Sequence, residues 1–180
     1  MKRNPFTFLI ILAFACSCGQ PKLTKETASE QIIKAYYTPA KYYDLWIYGA
    51  DTTFAKKMRD SELVKEGLVK IPDNFRGSQL GSNLVTFTEK SEPFKLATSV
   101  DLQKSGIQIV KVANFKFGEV TQIRDQGNGQ PVEVEYTQVS DVLNGFAKLA
   151  NYNFSKAKTK TVRFTYDKEN GYQIEHKAKN

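Results

Sequence analysis

The sequence predicts an α+β fold in which a helical N-terminal third packs on an antiparallel β-sheet formed by the C-terminal two thirds. Apolar residues recur at three- and four-residue steps as far as residue 68, which is the period of an amphipathic helix. After residue 83 they alternate with polar residues, as in a strand that buries one face. Turn sequences at residues 127–129 and 168–171 separate alternating segments and predict β-hairpins.

The first predicted helix begins at Ser29, a candidate N-cap, and carries an apolar stripe that includes Ile32 and Tyr36. Pro39 ends this helix, because the residue before a proline is disfavoured in the helical region. The polar residues 18–27 predict a tether, and residues 28–180 are long enough for one α+β domain with its own core.

Six aromatic side chains lie close together at the end of this helix and after it. They are Tyr36, Tyr37, Tyr42, Tyr43, Trp46 and Tyr48. Because tyrosine and tryptophan join an apolar body to a polar tip, one hypothesis is a stacking platform for sugar rings or a docking surface for a partner. The alternative, which we favour, is a second amphipathic helix in which Leu45 and Trp46 face the core. The six residues are the candidate binding surface.

Helical periodicity continues from Thr53 to Gly67, with a restart at Asp60 or Ser61 and Gly67 closing the last turn. Residues 62–69, with the sequence ELVKEGLV, resemble the helix end and the first wing strand of winged-helix domains. This resemblance implies a packing pattern and no binding of DNA.

The strands are predicted from the change to a two-residue period. Leu84–Thr88 and Phe94–Ala97 flank a turn at residues 91–93. Ile107–Ile123 is the longest alternating segment, but its first valines and its two phenylalanines fall in opposite phase. One inserted residue near Ala113 or Asn114 would restore the phase, so we expect a β-bulge there.

Two hairpins complete the predicted sheet, with strands around residues 132–136, 162–167 and 172–176. Between these hairpins the apolar spacing of Asp141–Asn151 predicts a short helix. Gly145 disfavours that helix by about 1 kcal/mol.

The first twenty residues have the features of an export signal. Lys2 and Arg3 precede an apolar run from Phe6 to Ala15. This run is too short to cross a bilayer, which needs roughly 20 apolar residues. The signal therefore predicts export of the domain.

The sequence Ala15-Cys16-Ser17-Cys18-Gly19 resembles the lipobox of bacterial lipoproteins. The resemblance implies that residues 1–17 are a signal peptide, that Cys18 is acylated, and that Gly19 sorts the protein to the outer membrane. Cys16 is the alternative acylation site. A further alternative is ordinary cleavage after Ala15, which would give a soluble secreted protein.

The chain has 26 basic and 19 acidic side chains, and two of the basic ones lie in the predicted signal peptide. In the cell envelope, a moderate positive charge favours lipid headgroups, acidic glycans or a partner protein, whereas nucleic acid is not expected. With Cys18 acylated, the mature domain has no thiol for a disulfide, so packing has to stabilise it.

The sequence lacks the residue sets that nucleophilic enzymes need. His176 is the only histidine and stands near the C-terminus, so it does not predict a Ser-His-Asp or Cys-His site. The chain has no His/Cys cluster for zinc and no complete phosphate-binding loop, and we expect neither metal nor cofactor.

Two charged groups remain as candidates. Glu133 and Glu135 share one face of a predicted strand at roughly 7 Å, a distance compatible with acid/base work on a glycosidic bond. Their alternation with apolar residues favours an ordinary half-exposed strand. Lys156, Lys158 and Lys160 share one side if extended and could contact anionic headgroups or glycan, although a solvated face is the favoured interpretation.

The function predicted from these observations is a non-catalytic accessory or binding module, held to the membrane by its N-terminal lipid, with an envelope protein or glycan as partner. A tethered enzyme acting on glycan through Glu133 or Glu135 is the first alternative. A small-ligand carrier that uses the aromatic stretch as a pocket wall is the second.

Overall fold

The computed structural model describes residues 21–74 and 82–175. The predicted signal peptide, Cys16, Cys18 and His176 lie outside the described residues. The α-helices of the described part are α1 (Lys25–Tyr36), α2 (Thr52–Arg59), α3 (Glu62–Lys65) and α4 (Val100–Lys104), and 3₁₀ helices cover Glu89–Phe94 and Gly145–Leu149. The strands are β1 (Lys41–Tyr48), β2 (Val69–Lys70), β3 (Thr86–Phe87), β4 (Ile107–Arg124), β5 (Val132–Val142), β6 (Lys158–Asp167) and β7 (Gly171–Ile174).

The main sheet is a curled antiparallel sheet of five strands in the order β1-β4-β5-β6-β7. β2 and β3 form a separate two-stranded ladder. The predicted α+β class is confirmed, with helices in the N-terminal part and strands dominating the rest. The predicted turn at residues 127–129 joins β4 to β5, and all three of its residues have positive φ, which suits glycine and asparagine.

The long strand β4 changes partner along its length. Its first half pairs with β1 and its second half with β5. Tyr43 lies opposite Ala113 and Asp44 opposite Lys111, so that Val112 is the extra residue of a β-bulge. Val112 and Ala113 are both buried although they are adjacent. The bulge expected near Ala113 is confirmed, and it restores the phase between the valines and the phenylalanines.

The apolar side chains form two buried clusters that share β4. The α2 core consists of Ile47, Ala55, Met58, Leu63, Leu68, Val69, Leu84, Val85, Val110, Val112, Ala113 and Phe146. The α1 core consists of Leu23, Ala28, Ile32, Val120, Val132, Val134, Tyr136, Val162, Phe164, Tyr172 and Ile174. The first part of β4 thus packs under α2 and α3, and the last part packs under α1.

Helix α1 begins earlier than the sequence predicts. Thr24, and not Ser29, is the N-cap, because its Oγ1 accepts a hydrogen bond from the Thr27 backbone N–H at 3.2 Å. Leu23 is buried in the α1 core. The start of α1 and one core residue therefore lie within the segment predicted as a tether, and that prediction is wrong for residues 23–27. The predicted end of the helix before Pro39 is confirmed.

The aromatic stretch is a strand and not the second helix that we favoured. Tyr43, Leu45 and Ile47 of β1 face the α2 core, which requires a period of two. Trp46 points the other way and is 43% exposed. Pairing with β4 satisfies the backbone of this segment, and the helical interpretation is wrong because a helix would bury a different set of side chains.

The predicted helices after residue 51 are confirmed as two short elements. Asp51 caps α2, and its Oδ1 accepts from the Phe54 N–H at 2.8 Å. Ser61 caps α3, which confirms the predicted restart. Gly67 has a φ of +71°, the left-handed conformation expected of a glycine after a helix. In the segment that resembles winged-helix domains, α3 leads into only the two residues of β2.

Two predicted elements differ in the structure. Residues 94–97 do not form a strand, because Phe94 ends a 3₁₀ helix that contains Pro93, and only Lys95 makes a bridge, to Val110 of β4. The segment predicted as a helix from Asp141 continues β5 through Val142. The 3₁₀ helix follows, where the Asn144 side chain accepts from the Phe146 N–H at 3.1 Å.

Candidate ligand-binding site

Five rings form an aromatic layer of two contacting groups on the inner face of the main sheet, the face on which β5 buries Val134. The aromatic layer consists of Tyr37, Phe115, Phe117, Tyr136 and Tyr152. Phe117 and Tyr136 stack with ring centroids 5.8 Å apart, and Tyr37 meets both rings edge-on at 6.4 Å. Phe115 contacts Tyr152 at 5.8 Å. Phe115 and Phe117 are two residues apart on β4 and therefore share a face, which joins the two groups.

The layer lies at the junction of the two cores. Phe117 and Tyr37 pack against the α1 core. On the other side, Tyr43 and Phe154, which pack against the α2 core, contact Tyr152 at 5.2 and 4.7 Å. Apart from Tyr136, which is buried, the rings of the layer are only half-buried. A ligand could therefore reach ring faces and edges without unfolding either core.

The polar atoms of the layer are the hydroxyls of its three tyrosines, and the Gln138 amide lies beside them. The Tyr37 hydroxyl donates to Gln138 Oε1 at 3.4 Å. Burial raises the pKa of Tyr37 and of Tyr136, and for Tyr37 the neighbouring Tyr136 adds to this effect. Both hydroxyls are consequently neutral at physiological pH and available as hydrogen-bonding groups.

A cavity of about 400 Å³ opens beside the layer. Its walls are the end of α1, residues 38–40, the start of β1, and Phe115. Tyr36 and Tyr42 line it from two sides, and Phe115 belongs to both the cavity and the aromatic layer. Cavities of this size fall in the lower part of the range of small-molecule sites.

Three lysines surround this region, and we call them the lysine rim. Lys158 and Lys160 of β6 lie opposite Gln138 and Tyr136 of β5, so they extend the inner face towards solvent. The Lys158 Nζ lies 4.0 Å from the centre of the Tyr152 ring. Lys41, opposite Phe115 in β1, places its Nζ 5.2 Å from the centre of the Tyr36 ring.

The structure separates the six aromatic residues that the sequence grouped together. Tyr36 and Tyr42 line the cavity, Tyr37 belongs to the aromatic layer, and Tyr43 packs on the α2 core. Tyr42, Trp46 and Tyr48 alternate with Tyr43 along β1 and lie exposed on its opposite face. A single platform of all six does not exist, because alternation along a strand sends neighbours to opposite faces.

The sequence did not group four of the layer residues with this site. Phe115, Phe117 and Tyr136 were assigned only to alternating strands. Tyr152 lies between the 3₁₀ helix and β6, where no periodic pattern marks it. The only signal that could have connected them was the predicted pairing of β4 with β5.

The carboxylate pair is placed on the outer face, away from the cavity. Glu133 Oε1 lies 3.1 Å from Arg163 Nη2, and Glu135 Oε1 lies 2.8 Å from Arg124 Nη2. Each glutamate thus has its own arginine on a neighbouring strand. This arrangement supports the interpretation as cross-strand ion pairs of a half-exposed strand.

Within residues 21–74 and 82–175, no group of three or more histidine, cysteine, aspartate or glutamate side chains could hold a metal ion. Among the helices of the same residues, none has the length and apolar character to cross a bilayer.

Comparisons of the chain with protein-family models, with curated proteins and with solved structures gave no match. The fold and the geometry of the site define a mixed α+β domain that has an aromatic layer on the inner face of its sheet, a cavity beside this layer, and lysines next to both.

Proposed function

We propose that the protein is an exported lipoprotein, anchored through Cys18 in the bacterial outer membrane, whose domain is a non-catalytic module that binds a ring-bearing ligand. The observation that carries the binding function is the aromatic layer with its adjoining cavity. The lipobox-like sequence around Cys18 supports the anchor.

Four of the five rings in the aromatic layer are half-buried. A ring that is left partly in water keeps apolar area that a ligand can cover, and each Å² removed from water contributes about 25 cal/mol. Phe115 belongs to both the layer and the cavity, and Tyr36 and Tyr42 add two further rings to the cavity wall. Tyrosine hydroxyls and the Gln138 amide supply hydrogen bonds that orient a polar ring such as a sugar. Together these features favour a ring-bearing small molecule or one unit of an envelope glycan.

The non-catalytic part of the proposal is supported by the partners of the two glutamates. A general acid needs access to the bond it protonates and a pKa adapted to that task. Glu133 and Glu135 contact arginines on the outer face, and neither residue lines the cavity.

The test is calorimetric titration of the full lipid-anchored chain, in detergent, with 4-nitrophenyl β-glucoside. The expected result is saturable binding to one site. Phe115→Leu should weaken it, because the substitution removes a ring shared by the layer and the cavity while keeping an apolar side chain. Trp46→Leu is the matched control, since it removes an exposed ring on the opposite face.

The same probe tests for catalysis, because hydrolysis of the glycoside releases coloured nitrophenolate. We expect none. Absence of binding, or equal losses in the Phe115 and Trp46 variants, would refute the proposed site. Release that is abolished by Glu133→Gln or Glu135→Gln would show that the protein is an enzyme.

A further inference from the structure

The lysine rim carries positive charge that no carboxylate of the described residues neutralises. The ion pairs within residues 21–74 and 82–175 involve other lysines and arginines, and Lys41, Lys158 and Lys160 take part in none of them. The acidic side chains of β5 are Glu133, Glu135 and Asp141, and each is paired with a basic residue.

The positions of these lysines are fixed by strand register and by ring contacts. Lys158 lies beside the aromatic layer because its register partner is Gln138, whose Oε1 accepts a hydrogen bond from the Tyr37 hydroxyl. Its ammonium group lies over the face of Tyr152, a geometry in which a cation is attracted to the ring. A lysine ammonium has three donors, and the ring face occupies only one side of it. Donors therefore remain for an anion that enters beside the ring.

The aromatic layer and the lysine rim together favour a ligand that has both a ring and an anionic group. A ligand whose ring packs on the aromatic layer can direct an attached anionic group towards Lys158, whose ammonium lies over Tyr152 of that layer. A charge-assisted hydrogen bond between ammonium and carboxylate is roughly twice as strong as a neutral one. A neutral ligand of the same shape would make the same ring contacts, but the lysine ammonium groups would remain hydrated and would not contact it.

We propose that the ligand of this site is a ring that carries a carboxylate, either a uronic acid unit or an aromatic acid, and that the lysine rim binds the carboxylate. The inference rests on the proposed function, because it takes the aromatic layer to be the surface on which the ring packs.

The test compares two probes that differ in a single group, with the full lipid-anchored chain in detergent. The glucuronide of 4-nitrophenol carries a carboxylate where the corresponding glucoside carries a hydroxymethyl group. We expect the glucuronide to bind about tenfold more tightly at low salt, which is about 1.4 kcal/mol. Raising the salt concentration should reduce this preference, since the lysines are exposed.

Lys158→Gln should lower the affinity for the glucuronide about fivefold and leave the affinity for the glucoside unchanged, in keeping with one charge-assisted contact. Lys158→Arg should restore much of it by restoring the charge. Lys57→Gln is the matched control, because Lys57 is an exposed lysine of α2 that belongs neither to the lysine rim nor to the cavity wall. These exposed positions leave the cores intact, so each variant is expected to fold.

The outcomes separate the two proposals. If neither probe binds, the proposed function fails. If both bind equally and Lys158→Gln changes nothing, the ring site stands and the carboxylate inference is overturned. If the glucuronide is preferred, titration with benzoate and with methyl glucuronide distinguishes the two kinds of ligand. Tight binding of benzoate indicates an aromatic acid, tight binding of methyl glucuronide indicates a uronic acid, and either result supports the inference.

Discussion

The Tyr37 hydroxyl donates to Gln138 Oε1, 3.4 Å away, and joins the end of α1 to the middle of β5. The two residues are 101 positions apart in the chain. This contact holds the Tyr37 ring edge-on to Phe117 and Tyr136. The aromatic layer is therefore fixed from the helix side as well as from the sheet.

Replacing Tyr37 by phenylalanine removes this hydrogen bond and keeps the ring. We expect the free energy of unfolding to fall by about 1 kcal/mol, the net value of a partly buried hydrogen bond. Urea unfolding monitored by circular dichroism measures it. Tyr48→Phe is the matched control, because Tyr48 is 48% exposed on the opposite face of β1 and should change stability by less than about 0.5 kcal/mol. Equal effects in the two variants would contradict the role given to Tyr37.

The raised pKa of Tyr37 predicts a loss of stability at high pH. Burial disfavours the tyrosinate in the folded protein, whereas the unfolded chain ionises at the ordinary pKa of about 10. Above that pH the unfolded state releases a proton that the folded state keeps, so the free energy of unfolding decreases as pH rises. Urea unfolding between about pH 9 and 11 should show a steeper decline in the wild type than in Tyr37→Phe. Parallel profiles would refute this prediction.

The ion pair between Glu133 and Arg163 should contribute little to stability. Its arginine side chain is 58% exposed, and such pairs are worth below about 1 kcal/mol. We expect Glu133→Gln to cost less than that at low salt and almost nothing at high salt. Unfolding in urea at two salt concentrations measures the difference. A loss of several kcal/mol would mean that Glu133 has a role beyond this pair.

The proposed acylation of Cys18 predicts the behaviour of two cysteine variants in cells. Cys18→Ser should move the protein into the aqueous fraction after detergent phase separation, because the acyl chains provide the membrane affinity. Cys16→Ser should leave it in the detergent fraction. Mass spectrometry of the wild-type N-terminus should find acylated Cys18 as the first residue. An unmodified protein that begins at Met1 would refute the lipoprotein proposal.

Local patterns in the sequence predicted where the strands occur better than which strands pair with one another. Alternation placed Val132, Val134 and Tyr136 correctly on the buried face, and the phase change in β4 located the bulge within two residues. The sequence from Lys41 to Tyr48 predicts a helix where the structure has a strand, because a run rich in tyrosine fits both periods when its partner strand is unknown. Pairing with β4 decided its conformation, which is a tertiary effect.

The candidate site could be predicted only in part for the same reason. Tyr36, Tyr37 and Tyr42 were singled out from the sequence, and Lys158 and Lys160 were expected to share a side. Neither observation connected them to Tyr152 or to Phe115. That connection depends on which strands are neighbours and on the path of the chain between β5 and β6, and periodicity carries no information about either.

Because β4 continues through its bulge from one core into the other, the two halves of the domain have a common backbone segment and should melt together. The aromatic layer lies just beyond that bulge, where Phe115 and Phe117 follow Ala113. A ligand bound to the layer would contact both halves of the domain where they meet. Its binding should therefore raise a single melting temperature for the whole domain, with no separate step for either half.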